Sequence, residues 1–255
     1  MKRLFAAIAG AVPFAVAASE LPDTINADYQ LGGAYAPPAG VTIVVRDSTA
    51  KPAPGLFNIC YINGFQTQPG SDWPKALLLL DTKGNPIADP NWPDEYFLDV
   101  STDANRKAIL AKLVPVIKGG AAKGFKAAEF DNLDSYTRTD GRLSAAHAVA
   151  FAKMLASATN AAGLAAGQKN APDLARRVKA EIGFSFVVSE ECHRWDECRA
   201  YTDVYGKQVI NIEYSDDLRG TFEEVCADPQ TPKSTILRDR MLLPMGRQGY
   251  VYRRC

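Results

Sequence analysis

Short β-rich runs alternate with Ala-rich stretches of helical spacing along most of this chain, and that alternation limits what it can fold into. The runs are 42–47 (TIVVRD), 57–63 (FNICYIN), 96–100 (YFLDV), 125–131 (FKAAEFD), 164–170 (LAAGQKN), 184–190 (FSFVVSE), 208–214 (QVINIEY) and 234–239 (STILRD). Helical patterns occupy 104–118, 144–162 and 171–181. Strands that alternate with helices form a parallel sheet with the helices packed outside it. Eight runs predict an α/β fold of a single (β/α)8 barrel, and 255 residues is an ordinary length for one. The competing α/β architecture is an open doubly wound sheet, but no Gly-rich phosphate loop follows the first run.

The helical stretches carry their own punctuation. Thr102 or Asp103 is placed to cap the helix at 104, and Gly119-Gly120 suits its C-terminal region. Ser144 is a plausible cap for the next helix, whose Ala148, Phe151, Ala152 and Leu155 make an apolar stripe for the core. The loop from 64 to 94 is long and holds Pro69, Pro74, Pro86, Pro90 and Pro93, so it is expected to shape one side of a cleft.

The first seventeen residues read as a secretory leader. Lys2 and Arg3 precede an apolar stretch, and Ala15-Val-Ala17 fits a cleavage site. The stretch is too short to span a bilayer and Pro13 interrupts it, so no membrane association is expected after cleavage. Lys2 and Arg3 leave with it, so 27 basic residues face 29 acidic ones and the mature net charge is −2. That balance gives no electrostatic footprint for nucleic acid. An exported chain with five cysteines calls for disulfides. Cys192 with Cys198, and Cys226 with Cys255, are the expected pairs, with Cys60 left as a buried thiol in an apolar run. With two histidines and no zinc-like spacing, neither metal nor organic cofactor is expected.

In a parallel barrel the C-terminal strand ends form the mouth of the active site. Most runs here change from apolar to polar at that end: Asp47, then Tyr61 and Asn63, Asp99, then Glu129, Asp131 and Asn132, then Lys169 and Asn170, Glu190, then Glu213 and Tyr214. Glu129 and Asp131 are two apart and share a strand face, an arrangement that stabilises no fold by itself. Asn211 and Glu213 also share a face and are expected to point into the lumen, with Ile210 and Ile212 toward the helices. Acids, amides and aromatic rings around a cleft in an exported protein suggest carbohydrate. Glycosidic cleavage needs two carboxyl groups, one as proton donor and one as nucleophile or base. The rival reading is a non-catalytic carbohydrate-binding or matrix protein on the same scaffold.

In order along the chain come Asp28-Tyr-Gln-Leu-Gly32, Cys60-Tyr-Ile-Asn-Gly64, Glu95-Tyr-Phe-Leu-Asp99, Gly124 to Asn132 with Asp134, Lys169-Asn170, Glu190-Glu-Cys192 with Asp196-Glu-Cys198, and Gly206-Lys to Glu213-Tyr214. Together they resemble the glycoside hydrolase family 114 domain, the endo-α-1,4-polygalactosaminidase-like proteins, over residues 26–255 as one domain. The resemblance implies a (β/α)8 barrel that hydrolyses galactosamine-rich polysaccharide. It implies an acidic pair of Asp131, with Glu129 as the competing assignment, and Glu190. Tyr61, Asp99, Asn132, Tyr136, Lys169, Glu213 and Tyr214 would then line the sugar site. Where the family pattern usually has Glu-Gln-Cys, this chain has Glu190-Glu-Cys192. The expected product is a secreted or periplasmic monomer.

Overall fold

A computed structural model describes residues 20–255; the expected leader at 1–17 lies outside the described residues. Eight strands run parallel in chain order, each paired with the next. They are β1 (Ala27–Gln30), β2 (Ile43–Asp47), β3 (Phe57–Asn63), β4 (Ala127–Asp131), β5 (Ala165–Lys169), β6 (Phe186–Glu190), β7 (Val209–Tyr214) and β8 (Thr235–Arg238). A ninth, β9 (Tyr252–Arg254), adds antiparallel to β8. Helices α1 (Asp103–Lys123), α2 (Ala145–Ala161), α3 (Ala175–Ile182), α4 (Cys198–Tyr205) and α5 (Phe222–Ala227) follow β3 to β7 in turn.

The two faces of the sheet feed two cores, as the two-residue period of a strand requires. Inside, one cluster draws buried apolar residues from all eight parallel strands, among them Tyr29, Val45, Ile59, Ala127, Ala165, Phe186, Ile212 and Ile236. A set that meets from every strand is the packed interior of a barrel. Outside, Ile62, Phe130, Ala166 and Val187 pack against Ile109 and Leu113 of α1, Phe151 and Leu155 of α2, and Val178 of α3. Gly167 on β5 has a particular task. A Cβ there would lie 2.2 Å from the ring of Phe186, so the missing side chain lets that ring cross the lumen.

Among the described residues no backbone ladder joins β8 to β1, and side chains bridge that seam. Arg238 of β8 is fully buried and donates to the Tyr29 carbonyl, to Asp28 Oδ1 at 3.2 Å, to Leu243 O at 2.9 Å and to Val251 O at 2.9 Å. The Tyr252 hydroxyl of β9 reaches Ala27 O across the same gap at 3.0 Å. The disulfide Cys226–Cys255 ties β9 to α5, and Cys192–Cys198 closes the turn between β6 and α4; Cys60 is free and buried.

Four expectations are corrected. The run at 96–100 is not a barrel strand. Phe97 and Leu98 are buried, but they form isolated antiparallel bridges with the 64–94 loop, which folds into a cover beside the mouth. The strand that completes the eight is β1, whose Asp28 and Gln30 face a polar network with Arg46 and Arg238 instead of a helix. On β7 the parity is reversed: Ile210, Ile212 and Tyr214 point into the lumen, and Asn211 and Glu213 point outward. Finally, α1 runs through Gly119-Gly120 and ends at Gly124, whose φ of 100° is the left-handed cap. Gly120 is instead a close-packing position, since a Cβ there would sit 3.2 Å from Cys60 Sγ.

Candidate active site

A cavity of about 370 Å³ opens at the C-terminal ends of the strands, lined by Tyr61, Asp131, Asn132, Lys169, Asn170, Glu190 and Tyr214 from the barrel. Its rim comes from Leu31-Gly32, the 89–95 part of the cover, Arg138 and the 240–242 loop. A wider cleft of about 800 Å³ continues from it past Glu190, Trp92 and Arg240 to Glu191, Trp195 and Glu197.

Three neighbouring strands deliver the central groups by the same backbone device. Asp131, Lys169 and Glu190 each end a strand, and each is followed by a residue in the left-handed region: Asn132 (φ 65°), Asn170 (φ 47°) and Glu191 (φ 57°). Such conformations are uncommon outside glycine and mark sites where the surroundings hold the chain against its preference. The turn stops the strand at once, so the last side chain stands at the mouth. The asparagines then bond the carboxylates next to them. Asn132 N–H donates to Asp131 Oδ1 at 2.8 Å, and Asn170 Nδ2 donates to Glu190 Oε2 at 3.0 Å.

Lys169 binds the two acids to one point. Its Nζ is 3.1 Å from Glu190 Oε2 and 3.4 Å from Asp131 Oδ2, and the side chain is fully buried. The rings of Tyr29 and Tyr61 lie 5.5 and 5.9 Å from it. Burial by itself would push the ammonium pKa down, but Asp131 and Glu190 outweigh it and hold the lysine charged. Tyr61 donates to Asp131 Oδ2 at 2.7 Å, and Tyr214 donates to Glu190 Oε1. Burial pushes the Glu190 pKa up, yet Lys169, Tyr214 and Asn170 together bring it below the ordinary carboxylate value.

Glu129 lies one layer deeper. It is fully buried, does not line the cavity, accepts from Tyr29 at 2.7 Å and leaves Oε2 without a partner. Burial raises its pKa to about 8, so it is a neutral acid at pH 7. The competing assignment of Glu129 to the acidic pair therefore puts the group below the floor.

Of the other expected sugar contacts, Tyr61, Asn132, Lys169 and Tyr214 line the cavity. Asp99, Tyr136 and Glu213 do not, and each has another task. Asp99 accepts from Ser101 and from Asn105 at the start of α1. Tyr136 donates to Asp173 at 2.5 Å. Glu213 is buried behind the sheet and receives the backbone N–H groups of His193 and Arg194, so it shapes the turn after β6. The extra carboxylate of Glu191 points into the wider cleft and pairs with Arg240 at 2.9 Å; Arg240 also stacks over Tyr214. The sequence marks Asn63 as a polar strand end and Asp134 as part of a motif without giving either a sugar contact, and Tyr29 and Glu95 lie inside motifs without being singled out; nothing in the sequence points to Asp89, Arg138 or Arg240. Among the described residues no three His, Cys, Asp or Glu side chains are gathered to hold a metal.

A barrel with paired acids at the C-terminal strand ends is the architecture of many enzymes that act on sugars. The model of glycoside-hydrolase family GH114 matches residues 11–255. This chain belongs to that family and is a glycoside hydrolase. It is similar in structure to Aspergillus fumigatus Ega3, determined in complex with galactosamine, at 22% identity and a TM-score of 0.71, covering 93% of this chain and 98% of that one. It is also similar to the glycoside hydrolase domain of PelA from Pseudomonas aeruginosa, at 14% identity and a TM-score of 0.57, covering 87% and 97%. No curated protein matches. The two disulfides fit an oxidising compartment, and no helix among the described residues is long and apolar enough to cross a membrane.

Proposed function

We propose that this protein cleaves galactosamine-rich polysaccharide within the chain, at α-1,4 linkages, using Asp131 and Glu190 as its carboxyl pair. The observation that carries this is the shared contact with Lys169. One buried ammonium touches both acids across the cavity floor, so their near oxygens lie no farther apart than the 3.1 and 3.4 Å contacts laid end to end. Retaining enzymes hold their carboxyl groups about 5–5.5 Å apart and inverting ones about 6.5–9.5 Å apart. The shared ammonium keeps the two acids close, and the reaction we propose is the retaining one.

The roles follow from position. Asp131 lines only the narrower cavity, where the sugar ring to be attacked would sit. Glu190 lines both the cavity and the wider cleft, so a bond that spans the junction has its bridging oxygen beside Glu190. Asp131 attacks the anomeric carbon while Glu190 gives its proton to that oxygen, and the leaving chain departs along the cleft. A covalent ester to Asp131 results. Water then attacks the ester, Glu190 takes its proton, and the sugar leaves with its configuration retained. In the free site Glu190 is held ionised; sugar that fills the cavity removes its remaining water and raises its pKa toward a working acid. Lys169 limits the mutual repulsion of the two acids throughout.

Amino-sugar chemistry draws on the likeness to a protein solved with galactosamine, and export on the disulfides. The test is a panel of acetylated and deacetylated galactosamine polymers scored for new reducing ends. Asp131→Asn and Glu190→Gln should each lower turnover by about 10³-fold or more while sugar binding survives. Turnover unchanged in both variants would remove Asp131 and Glu190 as the carboxyl pair; sugar binding with no turnover on any polymer by the unmodified protein would leave the binding-protein reading.

A further inference from the structure

Three consecutive loops meet at Arg240. It follows β8 and lines both the cavity and the wider cleft. The loop after β7 supplies Asp216, which accepts from Arg240 Nε at 2.8 Å and from Nη2 at 2.9 Å. The loop after β6 supplies Glu191, which accepts from Nη2 at 2.9 Å and from Nη1 at 3.4 Å. One guanidinium is thus gripped twice, and Glu191 is the acid that stands where the family pattern usually has Gln. Glu191 is itself fixed, since its N–H donates to Ile212 O and its carbonyl accepts from Trp195 N–H at 3.0 Å. The Arg240 and Asp216 side chains are 38% and 55% exposed, and ion pairs so open to water contribute little to stability. The double grip calls for another explanation.

The flat face of the guanidinium supplies one. Arg240 Cζ lies 4.5 Å from the centroid of the Tyr214 ring, so the cation sits on the negative face of that ring. Tyr214 is buried at the end of β7, and its hydroxyl donates to Glu190 Oε1. Among the described residues Oε1 accepts from no other group, whereas Oε2 is held by Lys169 and Asn170. A positive charge on the ring draws electron density from the phenol oxygen and makes its O–H a stronger donor. A stronger donor favours the carboxylate over the carboxylic acid.

We propose that Arg240, clamped by Glu191 and Asp216, is a positioning residue that acts through the Tyr214 ring to hold Glu190 as a carboxylate. The inference rests on the reading of Glu190 as one of the carboxyl pair. The other groups that face Glu190 are occupied elsewhere. Lys169 holds Oε2 at 3.1 Å and shares its charge with Asp131. Glu129 and Tyr29 lie beneath the floor and Tyr201 comes from α4; burial keeps all three neutral at pH 7. Glu95, across the cavity, titrates near pH 7 with or without Arg240, so it cancels in a ratio of variants. A cation on a tyrosine face corresponds to about half to one pH unit on the group that its hydroxyl holds.

The test is a carboxyl titration by NMR on the full chain labelled with 13C-glutamate, where the signal missing in Glu190→Gln belongs to Glu190. Arg240→Met should raise the Glu190 midpoint by about half to one pH unit, and Arg240→Lys should fall between. Added to Tyr214→Phe, the same change should leave the midpoint where Tyr214→Phe alone puts it. Melting curves check each fold, and Arg240→Gln serves where Arg240→Met does not fold. In turnover, the kcat/KM of Arg240→Met relative to the unmodified enzyme should rise about three- to tenfold across the titration. That rise has the same sign whichever form of Glu190 the reaction uses, whereas a lost substrate contact or a loosened loop gives a ratio independent of pH. An unmoved midpoint, an equal shift in the Tyr214→Phe background, or a flat ratio would each overturn the proposal. If the unmodified protein cleaves no polymer, the hydrolase reading fails, while the titration still decides the role of Arg240.

Discussion

Lys169 and Arg238 are both fully buried, both end a barrel strand, and both contact carboxylates. Their partners differ. Arg238 spends its donors on Asp28 and on three backbone carbonyls, which belong to β1 and to the C-terminal tail. None of those acceptors lines the cavity; Asp28 accepts besides only from Gln30 and Tyr35, and the planar guanidinium fits the set as a fork. Lys169 instead touches two acids that line a cavity; Tyr61 and Asn170 donate to the oxygens it holds, and Asn132 and Tyr214 to the other two. One cation closes the barrel where no ladder does. The other sets charge where a ligand can arrive. Burial alone does not separate a structural ion from a working one; the destination of the partner's spare lone pairs does.

Substitution can break the comparison. Lys169→Met should lower kcat by about 10²- to 10³-fold, because it removes the charge shared by the two acids. Its melting temperature should change little, since the acids can be hydrated from the cavity. A large loss of stability with normal turnover per folded molecule would put Lys169 in the class of Arg238. Arg238→Met should do the reverse. It strands Asp28 at a buried seam and should cost about 3–5 kcal/mol in denaturant unfolding, with turnover per folded molecule preserved.

Two pH experiments sharpen the contrast within the lumen. Glu190 must be protonated to act as the donor, and its pKa in the free site is lowered. The value of kcat/KM should therefore climb toward acid pH, by about tenfold per unit above that pKa. A plateau from pH 5 to 7 would reassign Glu190 as the nucleophile. The smallest effect belongs to Glu129. Its folded pKa, about 8, lies above the ordinary carboxylate value, so its contribution to stability falls as pH rises from the unfolded value through about 8. Glu129→Gln removes that titration, and its melting temperature relative to the unmodified protein should improve between pH 5 and pH 9.

Much of this was legible because barrel strands announce themselves. The runs at 57–63, 125–131, 184–190 and 208–214 carry the apolar content of β3, β4, β6 and β7, and Asp131 and Glu190 end two of them. The exceptions have physical causes. YFLDV at 96–100 has strand composition, but its apolar side chains pack under the 64–94 cover instead of into the lumen. β1 is four residues long and alternates Ala27 and Tyr29 with the buried Asp28 and Gln30, whose partners Arg46 and Arg238 are remote in sequence. On β7, polar Asn211 and Glu213 looked like lumen residues. They are consumed by the turn after β6, a backbone demand that no local pattern displays. Glu95 was visible as a residue, but its place in the cavity is set by Asn63 of β3, which donates to it at 3.0 Å from far along the chain.

The ring of Phe186 that lies over Gly167 belongs to the packed interior below the cavity, whose lining includes Lys169, two residues further along β5, but neither of them. A guest therefore meets charge before it could meet that hydrocarbon plug. Trimming the rim to admit a bulkier or branched sugar would widen the doorway without lowering the floor, whereas a side chain added at 167 would dislodge the plug itself.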